Sequence, residues 1–130
     1  MPGGFEVTVL LVAVRDSLLV VSDADGRWVA EQRFVGKSRV TCLTTDPRRA
    51  ERVYCGTASD GLWRSEDLGR NWSRVGEGAM HEHVTAVAVS STEHGADGSA
   101  VLYAGSEPTA LYRSEDAGET WEPMPPLGEG

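Results

Sequence analysis

Long apolar runs are missing from this chain. The longest, Val7–Val14, has eight residues, too short to span a bilayer. Glu6 precedes it and Arg15 follows it, whereas a secretory leader opens on a basic segment and ends at small residues. The run is expected to be a buried strand of a cytoplasmic protein with no membrane partner. The sequon at Asn71 ("NWS") is then a chance match. Basic residues are scarce: 12 Lys and Arg against 20 Asp and Glu give a net charge of −8. Nucleic acid, which is held through cationic phosphate contacts, is excluded as the expected partner. Only two cysteines occur, Cys42 and Cys55. Neither has a CxxC spacing or an adjacent histidine, so they are expected to be small apolar core residues, neither zinc ligands nor a disulfide. No stretch shows helical period with caps. The segment "DADG" (Asp23–Gly26) lacks the twelve-residue frame and terminal Glu of a calcium loop. No metal and no cofactor is expected.

What the chain does contain is repetition. "YCGTASDGLWRSEDLGRNW" (Tyr54–Trp72) lies over "YAGSEPTALYRSEDAGETW" (Tyr103–Trp121) with nine of nineteen positions identical and an offset of 49. Upstream, "RVTCLTTDP" (Arg39–Pro47) lies over "HVTAVAVSS" (His83–Ser91) at an offset of 44. The five extra residues fall in "STEHGADGSA", read as a polar, glycine-rich loop. A fainter copy, "LLVVSDADGRW" (Leu18–Trp28), precedes both, with a turn one residue shorter.

Each unit reads as four short strands. In the middle unit these are "VTCLTT", "RVYCGTA", "GLWRSED" and "NWSRVG", alternating and rich in β-branched and aromatic residues, punctuated by Asp-Pro, Asp-Gly and Leu-Gly. A repeated four-stranded antiparallel unit of about 40–50 residues is the sign of a β-propeller blade. The fold class expected is therefore all-β, with blade 1 at about residues 5–36, blade 2 at 38–78 and blade 3 at 82–127.

The repeated phrase S-x-D-x-G-x-x-W occurs at Ser65, Asp67, Gly69 and Trp72, and again at Ser114, Asp116, Gly118 and Trp121. Its chemistry is that of a self-folding turn. The carboxylate and hydroxyl accept backbone N–H bonds, the glycine takes positive φ, and the tryptophan returns to bury against its own sheet. This phrase closely resembles the Asp-box, or BNR repeat, of sialidase-like propellers, sortilin-type receptors and photosystem assembly factors. The resemblance covers nearly the whole chain. It implies a structural hairpin on the face away from any active site. The first unit departs from the pattern at Ser22, Asp25, Gly26 and Trp28.

The ring does not close in the sequence. Blade 1 has three strands, lacking the innermost, and "PMPPLGEG" is proline-rich and reads as no strand. About 2.75 blades fall short of the 4–8 of a closed propeller. Exposed edges and blade faces invite association, so a homodimer, a homotrimer or the remainder of a longer propeller is expected to complete it.

Propeller ligands bind on the face opposite the box turns. The loops expected there carry Arg15, Asp16, Lys37, Arg39, Asp60, His81, Glu82, His83 and Glu107. In "HEH" (His81–His83), residues i and i+2 share a face only in a strand and no fourth ligand follows, so a solvated loop is expected rather than a metal site. The resemblance implies, for an enzyme, a tyrosine nucleophile, an acid/base Asp and three arginines clamping a carboxylate. The family's R-I-P type arginine motif does not occur. Arg15 in "VAVRDS" is only positionally similar, and Tyr54, Tyr103 and Tyr112 sit in repeat strands. The function expected is a non-catalytic propeller module, a binding or assembly scaffold for a glycan or protein. The alternative is a sialidase-like glycoside hydrolase fragment, active only as an oligomer or within a longer chain.

Overall fold

The computed structural model describes residues 8–125; the ends assigned above to blades 1 and 3 beyond these lie outside the described residues. Eleven strands form three antiparallel sheets. The first contains β1 (Thr8–Val14), β2 (Ser17–Ala24) and β3 (Arg27–Arg33). The second contains β4 (Val40–Asp46), β5 (Arg49–Thr57), β6 (Leu62–Ser65) and β7 (Ser73–Val75). The third contains β8 (His83–His94), β9 (Ala100–Glu107), β10 (Ala110–Ser114) and β11 (Glu122–Pro123). Each sheet is a meander whose neighbours in sequence are neighbours in space. The described residues contain no helix.

The strands follow their side-chain patterns. In β9, "AVLYAGSE", Leu102, Ala104 and Ser106 point to one face and are buried, while Tyr103 and Gly105 point to the other. In β2, Leu18 and Val20 are buried against the second sheet. The period of two fixes which face of each sheet meets its neighbour.

The sheets stack in chain order. The inner strand β4 lies against β8, β5 also touches β8, and β1 touches β4. One core, centred on Tyr54, Leu62, Val84, Leu102 and Trp121, joins the second sheet to the third. A smaller one, centred on Leu18, Val35, Val40 and Cys55, joins the first to the second. Both cysteines are free thiols, and burial pushes each thiol up from its ordinary value.

Gly56 sits at a close approach between the second and third sheets. A Cβ there would sit 2.6 Å from Cys42 Sγ and 2.7 Å from Val84 Cγ1. Close packing leaves no room for that methyl without moving both strands. Gly56→Ala is expected to cost about 1–3 kcal/mol by overpacking, measured by urea denaturation; a neutral result would mean the inner strands separate freely.

Two expectations of strand extent are corrected, and β1, expected to be a buried strand, is half-buried to exposed along its length because it lies in the terminal sheet. "NWSRVG" gives a strand only at Ser73–Val75, because Asn71 and Trp72 are spent on the preceding turn. "STEHGADGSA" is not all loop: β8 continues to His94, with a register irregularity between Val89 and His94, and only Gly95–Ser99 connects it to β9. In the first unit the shorter turn is a two-residue hairpin. Asp25 and Gly26 both have positive φ (57° and 73°) between the paired Ala24 and Arg27, as a type I′ turn requires. It leaves no return path for the indole, and Trp28 is 56% exposed.

Candidate functional site

In a meander the connections alternate between two ends of the sheet. The repeated phrases occupy the β6–β7 and β10–β11 connections at one end. Ser65 Oγ accepts the amides of Asp67 (3.2 Å) and Gly69 (2.8 Å) and donates to Asp67 Oδ1 (2.8 Å). Asp67 accepts the Asn71 amide (2.8 Å) and side chain (2.6 Å), and Trp72 Nε1 donates to Gly69 O (2.8 Å). The second turn repeats every bond. Ser114 accepts the amides of Asp116 (3.3 Å) and Gly118 (2.9 Å), Asp116 accepts the Thr120 amide (2.8 Å) and hydroxyl, and Trp121 Nε1 donates to Gly118 O (2.8 Å). Leu68–Gly69 and Ala117–Gly118 all have positive φ, so the chain reverses over two left-handed residues in each. Trp121 is buried, 6% exposed, but Trp72 is only half-buried.

The turns also clamp the preceding sheet. Tyr54 OH donates to Ala117 O (2.7 Å), Arg64 donates to the same carbonyl (3.0 Å), and Arg64 pairs with Glu119. A Cβ on Gly118 would meet the Tyr54 ring at 3.2 Å, and one on Gly69 would meet Leu11 of β1 at 2.9 Å. Each turn therefore closes its own hairpin and covers a strand of the sheet before it, β1 for the first turn and β5 for the second. Burial pushes the Tyr54 phenol up to about 12, despite Arg52 and Arg64; it stays a neutral donor at physiological pH.

Both carboxylates are held below the ordinary aspartate value. For Asp67 the Asn71 side chain is the main cause, with desolvation opposing it. For Asp116 desolvation acts upward, but the Thr120 and Ser114 bonds together outweigh it. Their stabilisation is complete above the unfolded-state value near 3.8 and is lost as pH falls through the depressed folded values. The melting temperature is expected to be flat from neutral pH to about 5 and to fall below about 4, with a shallower acid limb in Asp67→Asn/Asp116→Asn. Circular dichroism melts across pH check this.

The opposite end carries the candidate ligand residues, and they divide into groups. Asp60 accepts the Lys37 amide (2.6 Å) and lies 3.6 Å from Arg74. Arg74 also faces Glu77 (3.0 Å) and Glu82 (3.7 Å). Arg74 thus ties two connections together, β5–β6 and β7–β8, with Asp60 extending the link to Lys37 of a third, and is neutralised by its carboxylates; a charged residue in the three-residue β7 gave no sequence signal for this. Arg15 and Arg39 line one groove with Val40 and Thr41, with Asp16 exposed beside Arg15. His83 stands opposite Glu107 in the β8–β9 register. His81 is exposed, and its amide donates to Tyr112 OH (3.2 Å). Of these residues the register brings His83 and Glu107 together, while Asp60 is engaged by Lys37 and Arg74. Among the described residues no cluster of three His, Cys, Asp or Glu has metal-binding geometry.

Three stacked four-stranded or near-four-stranded meanders with adjacent inner strands make this chain part of a β-propeller. Solved structures with the same fold include the GH74 xyloglucanase from Xanthomonas campestris, 21% identical with a TM-score of 0.63 over 95% of this chain and 22% of that one. They also include YCF48 bound to D1 peptide, 14% identical with a TM-score of 0.56 over 91% of this chain and 43% of that one. This chain spans less than half the length of either neighbour. No family model and no curated protein matches it.

Proposed function

We propose that the chain is a non-catalytic module of an Asp-box (BNR-repeat) propeller, a binding or assembly scaffold for a protein or glycan. The observation that carries this reading is the use of the repeated polar groups: both Ser-Asp pairs are spent on turn bonds, and Tyr54 is buried in a joint. The polar end offers recognition groups, chiefly Arg15 and Arg39, without an assembled acid, nucleophile and carboxylate clamp among the described residues. A neighbour of the same fold is described with a bound peptide, which favours a protein ligand. Self-association into a homodimer or homotrimer, or a longer propeller, would cover the terminal sheets.

The second reading, a glycoside hydrolase fragment, is favoured by the xyloglucanase neighbour. A glycoside panel and a glycan and peptide array, run on the same protein with Arg15→Ala and Asp60→Ala, separate the two. The scaffold reading expects retention on the array, weakened by Arg15→Ala, with no turnover. Turnover abolished by either substitution would establish the enzyme.

A further inference from the structure

Among the described residues the first sheet has one strand fewer than the other two, and the register shows which position is open. Leu18 and Leu62 occupy corresponding places: each faces the following sheet, and each pairs with the strand before it, Leu18 with Ala13 and Leu62 with Gly56. β1 therefore corresponds to β5. The next residues correspond too: Val12 to Cys55, Leu11 to Tyr54 and Leu10 to Val53. β5 has β4 as its inner neighbour and β9 has β8. Among the described residues nothing pairs with the inner edge of β1.

The space beside that edge is a slot between β1 and β4. At one end it is a groove of about 780 Å³ touching Leu10 and Leu11 of β1 and Leu43 and Thr45 of β4. At the other it touches Ala13, Arg15, Arg39 and Val40. Leu10 is 47% and Val12 40% exposed. An open edge next to apolar side chains is a template for strand addition.

We infer that the inner edge of β1 is a binding site for an extended, β-branched peptide strand of another polypeptide, running antiparallel to β1. This goes beyond the ligand-face reading above and does not rest on it. The chain's own inner strands state the required chemistry. "VTCLTT" and "VTAVAV" both begin Val-Thr, and Thr41 of β4 donates its hydroxyl to the carbonyl of Val84 in β8. Val40 corresponds to Val84, so its carbonyl is placed to accept the threonine of a strand in the slot. The register of β4 on β5 sets Leu43 against Cys55 and Thr45 against Val53; carried over, the occupant presents an apolar residue beside Val12 and a β-branched one beside Leu10. The occupant's N-terminus lies at the Arg15–Arg39 end. Neither guanidinium takes part in the ion pairs of the described residues, so an acidic residue just before the strand complements them.

A fluorescein-labelled peptide of residues 82–89 (EHVTAVAV) has this pattern, and fluorescence anisotropy with the full chain tests it. Saturable binding is expected, weakened at least about tenfold by Leu10→Lys/Val12→Lys in the protein and by Ala88→Pro in the peptide, which removes a ladder N–H, since Ala88 is the residue whose counterpart in the chain pairs with Tyr103. A Thr85→Val peptide is expected to bind several-fold more weakly, and Phe34→Ser in the protein to leave binding unchanged. The peptide variants read the site even if the double lysine variant fails to fold. Absence of saturable binding, or equal binding of the proline peptide, overturns the inference. So does a dimer that Leu10→Lys/Val12→Lys dissociates and the peptide does not, since a second copy then fills the slot. None of these results bears on the array, so either reading can fail alone.

Discussion

Trp121→Ala is expected to lower the unfolding free energy by about 3–5 kcal/mol, in the range of buried tryptophan truncations. Trp121 is 6% exposed and belongs to the larger core. Its indole reaches beyond its own sheet: a Cβ on Gly76, in the connection between the second and third sheets, would sit 2.7 Å from Trp121 Cδ1. Burial of an aromatic of this size removes about 150–250 Å² from water, which at about 25 cal/mol/Å² is roughly 4–6 kcal/mol. The Nε1 bond to Gly118 O adds about 1 kcal/mol, so packing dominates. Trp72, at the same place in the second sheet, is half-buried and is expected to lose clearly less on truncation. Urea denaturation of the two variants measures the difference; equal losses would show that the half-exposed indole is as strongly packed as the buried one.

The second large effect is expected at Tyr54. Tyr54→Ala removes a fully buried ring, leaves a cavity between two sheets and takes away one of the two donors to Ala117 O; about 3–5 kcal/mol is expected. Tyr54→Phe keeps the ring and is expected to cost about 1–2 kcal/mol, because Arg64 still serves the carbonyl. Tyr103 is the repeat counterpart of Tyr54, but it stands on the terminal face and bonds Glu93 and Arg113 of its own sheet. Tyr103→Ala is expected to cost clearly less than Tyr54→Ala. Equal losses at Tyr54 and Tyr103 would mean that the joint contributes nothing beyond the sheet itself.

The sequence revealed what is local. The spacing from Ser65 to Trp72 is short enough for every bond of the turn to lie within it, and the copy at Ser114–Trp121 made the pattern legible. Strand order followed, because a meander pairs neighbours in sequence. The joint was not legible: Tyr54 and Ala117 are 63 residues apart, and no periodicity links a phenol in one unit to a carbonyl in the next. Glu93 was hidden for a related reason. Its segment reads as a polar loop, yet β8 carries it across the terminal face, where Tyr103 and Arg113 both bond its carboxylate. Arg74 was hidden by the shortness of β7, and the exposure of Trp28 by a single residue missing from a turn. At the polar end, Arg15 and Arg39 come together because alternate connections, here β1–β2 and β3–β4, share one end of the stacked sheets. His83 and Glu107 meet because the β8–β9 register sets them opposite each other, while His81 lies before β8, where its amide is held by Tyr112.

Amide hydrogen exchange at Gly118 tests most directly whether the repeated turns are joints. Its N–H is bonded to Ser114 Oγ beneath the Tyr54 ring. The account predicts strong protection that falls at least about tenfold in Tyr54→Ala and is unchanged in Tyr103→Ala, since local opening follows the packing that covers the amide. Equal protection of Gly118 in all three proteins would contradict it, leaving each turn a hairpin with no part in holding the sheets together.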